Sequence, residues 1–155
     1  MKAIAKFCFV ITAMFVANAA SAQQIGLSYD VFGIYATRDK DGNDDGVFGP
    51  GVGVNYLFTP RIGVGLDTYS DGIRLPYMLN ASFIYRFVNS SMFTPYALAG
   101  FGRQWEHAAQ WTGHFGGGAE YNLRIGQAVF VDGRWVLPGE TSGYGVIRFG
   151  VRLRF

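Results

Sequence analysis

The chain has 155 residues, 50% of them hydrophobic, 17% aromatic and only 15% charged, with 22 glycines and a net charge of +2. A disordered chain is poorer in apolar residues and richer in charge, and 13 Lys and Arg against 11 Asp and Glu lack the basic excess of a nucleic-acid binder. Beyond the first two dozen positions no apolar run reaches the ~20 residues of a membrane helix. The apolar content is scattered among glycines and aromatics, which points to a single β-structured domain.

The first element is a leader. Lys2 and Lys6 form a positive n-region, residues 7–17 an apolar stretch, and Ala20-Ser21-Ala22 a small-residue cleavage pattern. The run is too short to span a bilayer as a helix, so residues 1–22 read as a cleaved signal peptide and residues 23–155 as the mature domain. Cleavage after Ala22 leaves 133 residues with 11 basic and 11 acidic side chains and no cysteine, since Cys8 lies in the leader. An exported domain without disulfides must draw its stability from a continuous hydrogen-bonded scaffold.

From Ile25 the sequence falls into eight segments of alternating hydrophobicity: 25–36, 47–58, 61–70, 76–88, 94–105, 111–123, 126–137 and 144–155. In the second, Val52, Val54, Tyr56 and Phe58 share one face, with Gly51, Gly53, Asn55 and Leu57 on the other. In the fourth, Tyr77, Leu79, Ala81, Phe83, Tyr85 and Phe87 oppose Met78, Asn80, Ser82, Ile84 and Arg86. The last sets Ile147, Phe149, Val151, Leu153 and Phe155 against Arg148, Gly150, Arg152 and Arg154. The string Phe-Thr-Pro occurs at 58–60 and at 93–95, which predicts a repeated hairpin unit. Connections near Thr59-Pro60, Asn89-Ser90-Ser91 and Arg124 are tight, whereas 37–46, 70–76, 105–111 and 138–143 are richer in charge, Gly or Pro. Short turns on one rim and longer loops on the other are the signature of an outer-membrane barrel with its short rim in the periplasm.

A soluble barrel would hide the large apolar face. Here the polar face carries glycines and opposed charges such as Asp132 and Arg134 rather than a spread of Lys and Glu, which favours apolar-out, polar-in. Aromatics towards the segment ends (Tyr56, Phe58, Tyr77, Tyr85, Phe87, Tyr96, Trp111, Tyr121, Trp135 and Phe155) form the expected interfacial girdles. The predicted fold is all-β, an eight-stranded antiparallel up-and-down transmembrane barrel, and the even strand number returns both termini to the periplasmic rim.

These residues resemble the OmpA-type eight-stranded transmembrane domain and the wider family of small outer-membrane β-barrels. The resemblance is strongest over 93–155. It is carried by Thr94-Pro95-Tyr96 with Gly100 and Gly102, by Gly116-Gly117-Gly118-Ala119-Glu120-Tyr121, by Val131-Asp132-Gly133-Arg134-Trp135, and by the closing alternation that ends in Phe155. It implies residence in the outer membrane of a Gram-negative-type bacterium, a monomer in contact with lipid and lipopolysaccharide, and no cofactor. It further implies that Phe155 forms part of the signal read by the outer-membrane assembly machinery. The chain stops without the periplasmic domain of the two-domain members, so a cell-wall tether is not implied.

Parity places Asp30, Asp67, Arg86, Glu120, Asp132, Arg134, Arg148 and Arg152 in the lumen, and Arg103 is assigned there too. A lumen of eight strands is just wide enough for side chains to fill, and buried charges must be paired, so these form a structural ion-pair network. Asp132 is expected to meet Arg148, with Glu120 bridging to an arginine of another strand. A gated ion path through the same pairs is the sharper alternative. A lipid-A deacylase of the resembling barrel type needs a His-x-Ser and a Glu near the lipid face. Here His107 falls in a loop and His114, predicted lumenal, is followed by Phe115-Gly116. Asp41, Asn43 and Asp45 match only the start of a calcium loop, because twelve-residue counting puts Val52 where a Glu should stand. The reading is a non-enzymatic barrel with a structural or surface-interaction role.

Overall fold

The computed structural model describes residues 25–37, 46–70, 77–88, 92–105, 109–123, 126–139 and 142–155. The leader, His107, Asp41, Asn43 and Asp45 lie outside these residues. Eight strands follow in chain order: β1 (Gly26–Ala36), β2 (Val47–Leu57), β3 (Ile62–Tyr69), β4 (Met78–Arg86), β5 (Phe93–Trp105), β6 (Ala109–Asn122), β7 (Gln127–Pro138) and β8 (Tyr144–Arg154). Each pairs antiparallel with the next, and β1 pairs with β8, from Ser28↔Arg154 to Ala36↔Val146. The sheet is a closed up-and-down barrel, which leaves no long edge unpaired.

The turns close as their residues dictate. After β2, the Thr59 side chain accepts hydrogen bonds from the backbone N–H of Arg61 and Ile62 at 3.2 and 3.0 Å. Between β6 and β7 the chain reverses through Gly126 at φ 65°, a conformation glycine adopts without penalty. The two Phe-Thr-Pro strings do not build the same unit. The first is the β2–β3 turn, whereas the second starts β5, with Thr94 buried in the lumen.

The outer surface is apolar along the strands, with Arg103 on β5 the one charged exception among the described strand residues. Phe48, Trp111 and Phe101 are 67%, 63% and 61% exposed, while the alternate positions are buried. That inversion suits lipid outside and a side-chain-filled interior. Two members of the expected girdle belong inside instead. Tyr77 and Tyr96 are each only 3% exposed. Tyr77 precedes β4 and escapes its alternation, so it packs into the lumenal apolar cluster and accepts a hydrogen bond from Gln104 Nε2 at 2.6 Å. Tyr96 is on the lumenal parity of β5, where Ala97, Ala99, Gly100 and Gly102 blur the phase, and its hydroxyl donates to Asp132 Oδ2 at 2.8 Å.

Candidate functional site: the lumen

The lumen is layered. In the half away from the termini lies an apolar and aromatic plug that includes Ile34, Ala36, Tyr69, Met78, Val136, Tyr144 and Val146. Tyr69 hydroxyl donates to Met78 Sδ at 3.0 Å, and Tyr144 hydroxyl to Gln104 Oε1 at 3.1 Å, so the polar tips of these large rings are satisfied within the plug.

Beneath it sits a first ion-pair cluster. Asp132 on β7 stands directly across from Arg148 on β8, and Arg148 Nε and Nη2 donate to its two carboxylate oxygens at 2.9 and 2.6 Å. Arg134 Nη1 crosses the lumen to Asp67 Oδ2 on β3 at 2.9 Å, and its Nε reaches Asp132 at 3.2 Å. Arg148 Nη1 also approaches Asp67 at 3.2 Å, and Asn80 Nδ2 donates to Asp67 Oδ1 at 2.9 Å. Two acids and two arginines balance here.

A second cluster lies towards the termini. Arg152 grips Asp30 through Nε and Nη2, both at 2.8 Å, and sends Nη1 to Glu120 Oε2 at 2.8 Å. Glu120, 0% exposed, also meets Arg86 and lies 2.7 Å from Arg154 Nη2. Asn55 Nδ2 donates to Asp30 Oδ2 at 2.9 Å. Between the clusters Phe32 and Phe130 meet edge-on, 6.3 Å apart. Arg148 lies 4.7 Å from the Phe32 centroid, and Arg152 lies 5.1 Å from Phe130 and 5.7 Å from Tyr96. These distances fall within cation–π range.

The structure thus brings together Asp30, Asp67, Arg86, Glu120, Asp132, Arg134, Arg148 and Arg152. Arg103 is not among them. Its neighbour Gln104 is buried, and Arg103 itself lies opposite the exposed Leu79 and Trp111, so the parity of β5 turns it outward. Its guanidinium lies 5.3 Å over the Trp111 ring. Sequence reasoning missed Arg154 as a third partner of Glu120, and Phe32, Phe130 and Tyr96 as separators. The even parity of β1 and β7 already carried the two phenylalanines inward.

His114 is lumenal and buried, with Nε2 2.9 Å from Ser82 Oγ. A serine–histidine contact performs acyl chemistry only when an acid orients the other ring nitrogen and a substrate reaches the hydroxyl. Nδ1 has no hydrogen-bond partner among the described residues, and the pair faces the filled interior rather than lipid.

No protein-family model matches the chain, and no curated protein matches its sequence. Solved structures do match. The N-terminal β-barrel domain of Pseudomonas aeruginosa OprF is similar at 16% identity and TM-score 0.61, over 83% of this chain and 97% of that one. The Yersinia pestis outer membrane protein Ail, in a phospholipid bilayer nanodisc, is similar at 18% identity and TM-score 0.53, over 84% of this chain and 99% of that one. The fold is that of eight-stranded outer-membrane barrels.

Proposed function

We propose that the chain is a small, monomeric, non-enzymatic protein of a Gram-negative-type outer membrane, with a structural or surface-interaction role carried by its longer loops. In this reading residues 1–22 are a signal peptide cleaved on export, and residues 23–155 form the barrel. Lipid and lipopolysaccharide surround it, and Phe155, outward and exposed at the rim, contributes to recognition by the assembly machinery. No cofactor is required.

The observation that carries the reading is the combination of an apolar exterior with a lumen in which, along the described strands, an apolar plug and two ion-pair clusters are stacked. A conducting path would require the apolar plug and both ion-pair clusters to part, and exposing unpaired charges is costly. A hydrolytic role would require a nucleophile at the lipid face, whereas Ser82 and His114 point into the barrel. The test is reconstitution in planar bilayers together with mass analysis of lipid A from cells that overproduce the protein. Current at the level of bare membrane and unchanged lipid A are expected; stepwise channel currents or shortened lipid A overturn the reading.

A further inference from the structure

Arg103 is the one charged side chain facing outward among the described strand residues. The other arginines in the strands point into the lumen, and all except Arg103 reach a carboxylate there. Arg103 is ringed by apolar surface instead. Leu79 on β4 and Trp111 on β6 are its direct cross-strand neighbours. Phe101, two residues away on the same face, packs against Trp111 with ring centroids 6.5 Å apart. A charge on the lipid face costs about 2–4 kcal/mol at mid-bilayer and falls towards zero near the interface, so Arg103 belongs at headgroup level. Its position agrees, since β5 ends two residues later at Trp105.

The guanidinium carbon lies over the Trp111 ring, 5.3 Å from the centroid, within cation–π range. Its N–H donors radiate in the guanidinium plane, and no described residue accepts a hydrogen bond from them or pairs with the charge. Among the described residues the guanidinium therefore has room for an anionic group that suits a planar fork and approaches from the lipid side. A phosphate is such a group.

We propose that Arg103, held over the Trp111 ring, is a headgroup clamp for the phosphate of a lipid packed against β4, β5 and β6. The inference rests on the outer-membrane reading above. The end of β5 at Trp105 is opposite both termini, so with periplasmic termini the clamp faces the outer leaflet and its occupant is the phosphorylated headgroup of lipopolysaccharide. Acyl chains on Leu79 and Phe101 would distinguish this occupant from free phosphate, which has none.

The test is native mass spectrometry of the refolded barrel with purified bis-phosphorylated lipid A, dephosphorylated lipid A and inorganic phosphate as separate probes. Arg103→Gln, close in shape, and Arg103→Lys, which keeps the charge without the fork, are compared with the parent chain after circular dichroism confirms folding. Loss of a charge-assisted contact should weaken bis-phosphorylated lipid A about tenfold in Arg103→Gln, less in Arg103→Lys. Dephosphorylated lipid A should bind all three alike. Equal affinity of Arg103→Gln and the parent for the phosphorylated lipid overturns the clamp, and so does a difference that persists without the phosphates. Inorganic phosphate binding at Arg103 as tightly as the lipid overturns the lipid assignment. If the parent chain inserts into lipid vesicles but the clamp fails, the outer-membrane reading stands; failure of the parent to insert overturns both.

Discussion

Asp132 and Arg148 face each other across adjacent strands and share two hydrogen bonds, at 2.9 and 2.6 Å, with both side chains buried. Both side chains are almost fully shielded from bulk solvent, so each supplies much of the other's solvation. The pair couples β7 to β8, while Arg134 and Tyr96 tie the same carboxylate to the rest of the lumen.

Asp132→Ala is therefore expected to destabilise the barrel by about 3–5 kcal/mol, because it strands a buried guanidinium. Arg148→Ala should cost a similar amount, and the double variant less than the two losses added together. Urea unfolding in lipid vesicles measures this. Strict additivity would show that the two residues are uncoupled.

Glu120 and Asp30 should not be equivalent. Glu120 meets Arg86, Arg152 and Arg154, whereas Asp30 meets Arg152. Glu120→Gln leaves three guanidinium groups facing one remaining carboxylate, so it should lower the unfolding midpoint more than Asp30→Asn does. Equal losses would mean that the Glu120 cluster is solvated and its charges screened.

Glycines separate into two kinds. A Cβ at Gly150 would run into the Val31 carbonyl oxygen, which is backbone and cannot turn aside, whereas a Cβ at Gly133 meets nothing within 4 Å. Gly150→Ala should cost about 1–3 kcal/mol through forced strand displacement. Gly133→Ala should be neutral or slightly stabilising, as it removes freedom from the unfolded chain. Midpoints of the two variants in one denaturant series decide the matter.

Topology is tested by labelling. Cysteine placed at Asp41 or Glu140 should react with an impermeant thiol reagent on intact cells, and cysteine at Thr59 or Ser90 should react only after the outer membrane is opened. The reverse pattern would place the termini outside.

Removal of Phe155 should impair assembly in cells far more than it affects refolding in vitro. Its ring packs edge-on against Tyr29 at 5.4 Å, a contact worth only about 0.5–1.5 kcal/mol beyond its buried area. Pulse-labelling of outer-membrane fractions, set beside refolding yield in detergent, separates the two effects. Equal, small losses in both would remove Phe155 from any assembly signal.

The sequence alone determined the eight strands, their order and, for most, the inward face. Side-chain direction in a strand has a period of two, so Val52, Val54 and Tyr56 or Arg148 and Arg152 declare their sides locally. It also placed Asp132 against Arg148, because neighbours in an antiparallel hairpin are related by the turn between them. Tertiary structure decided what lay beyond one hairpin. The phase of β5 was illegible where Ala97, Ala99, Gly100 and Gly102 offer no contrast between faces, which is why Arg103 and Tyr96 exchanged sides. Arg134 with Asp67 and Arg152 with Glu120 join strands that are not adjacent. Those contacts depend on the stagger and closure of the barrel, which set the height of every strand at once and are written in no single segment.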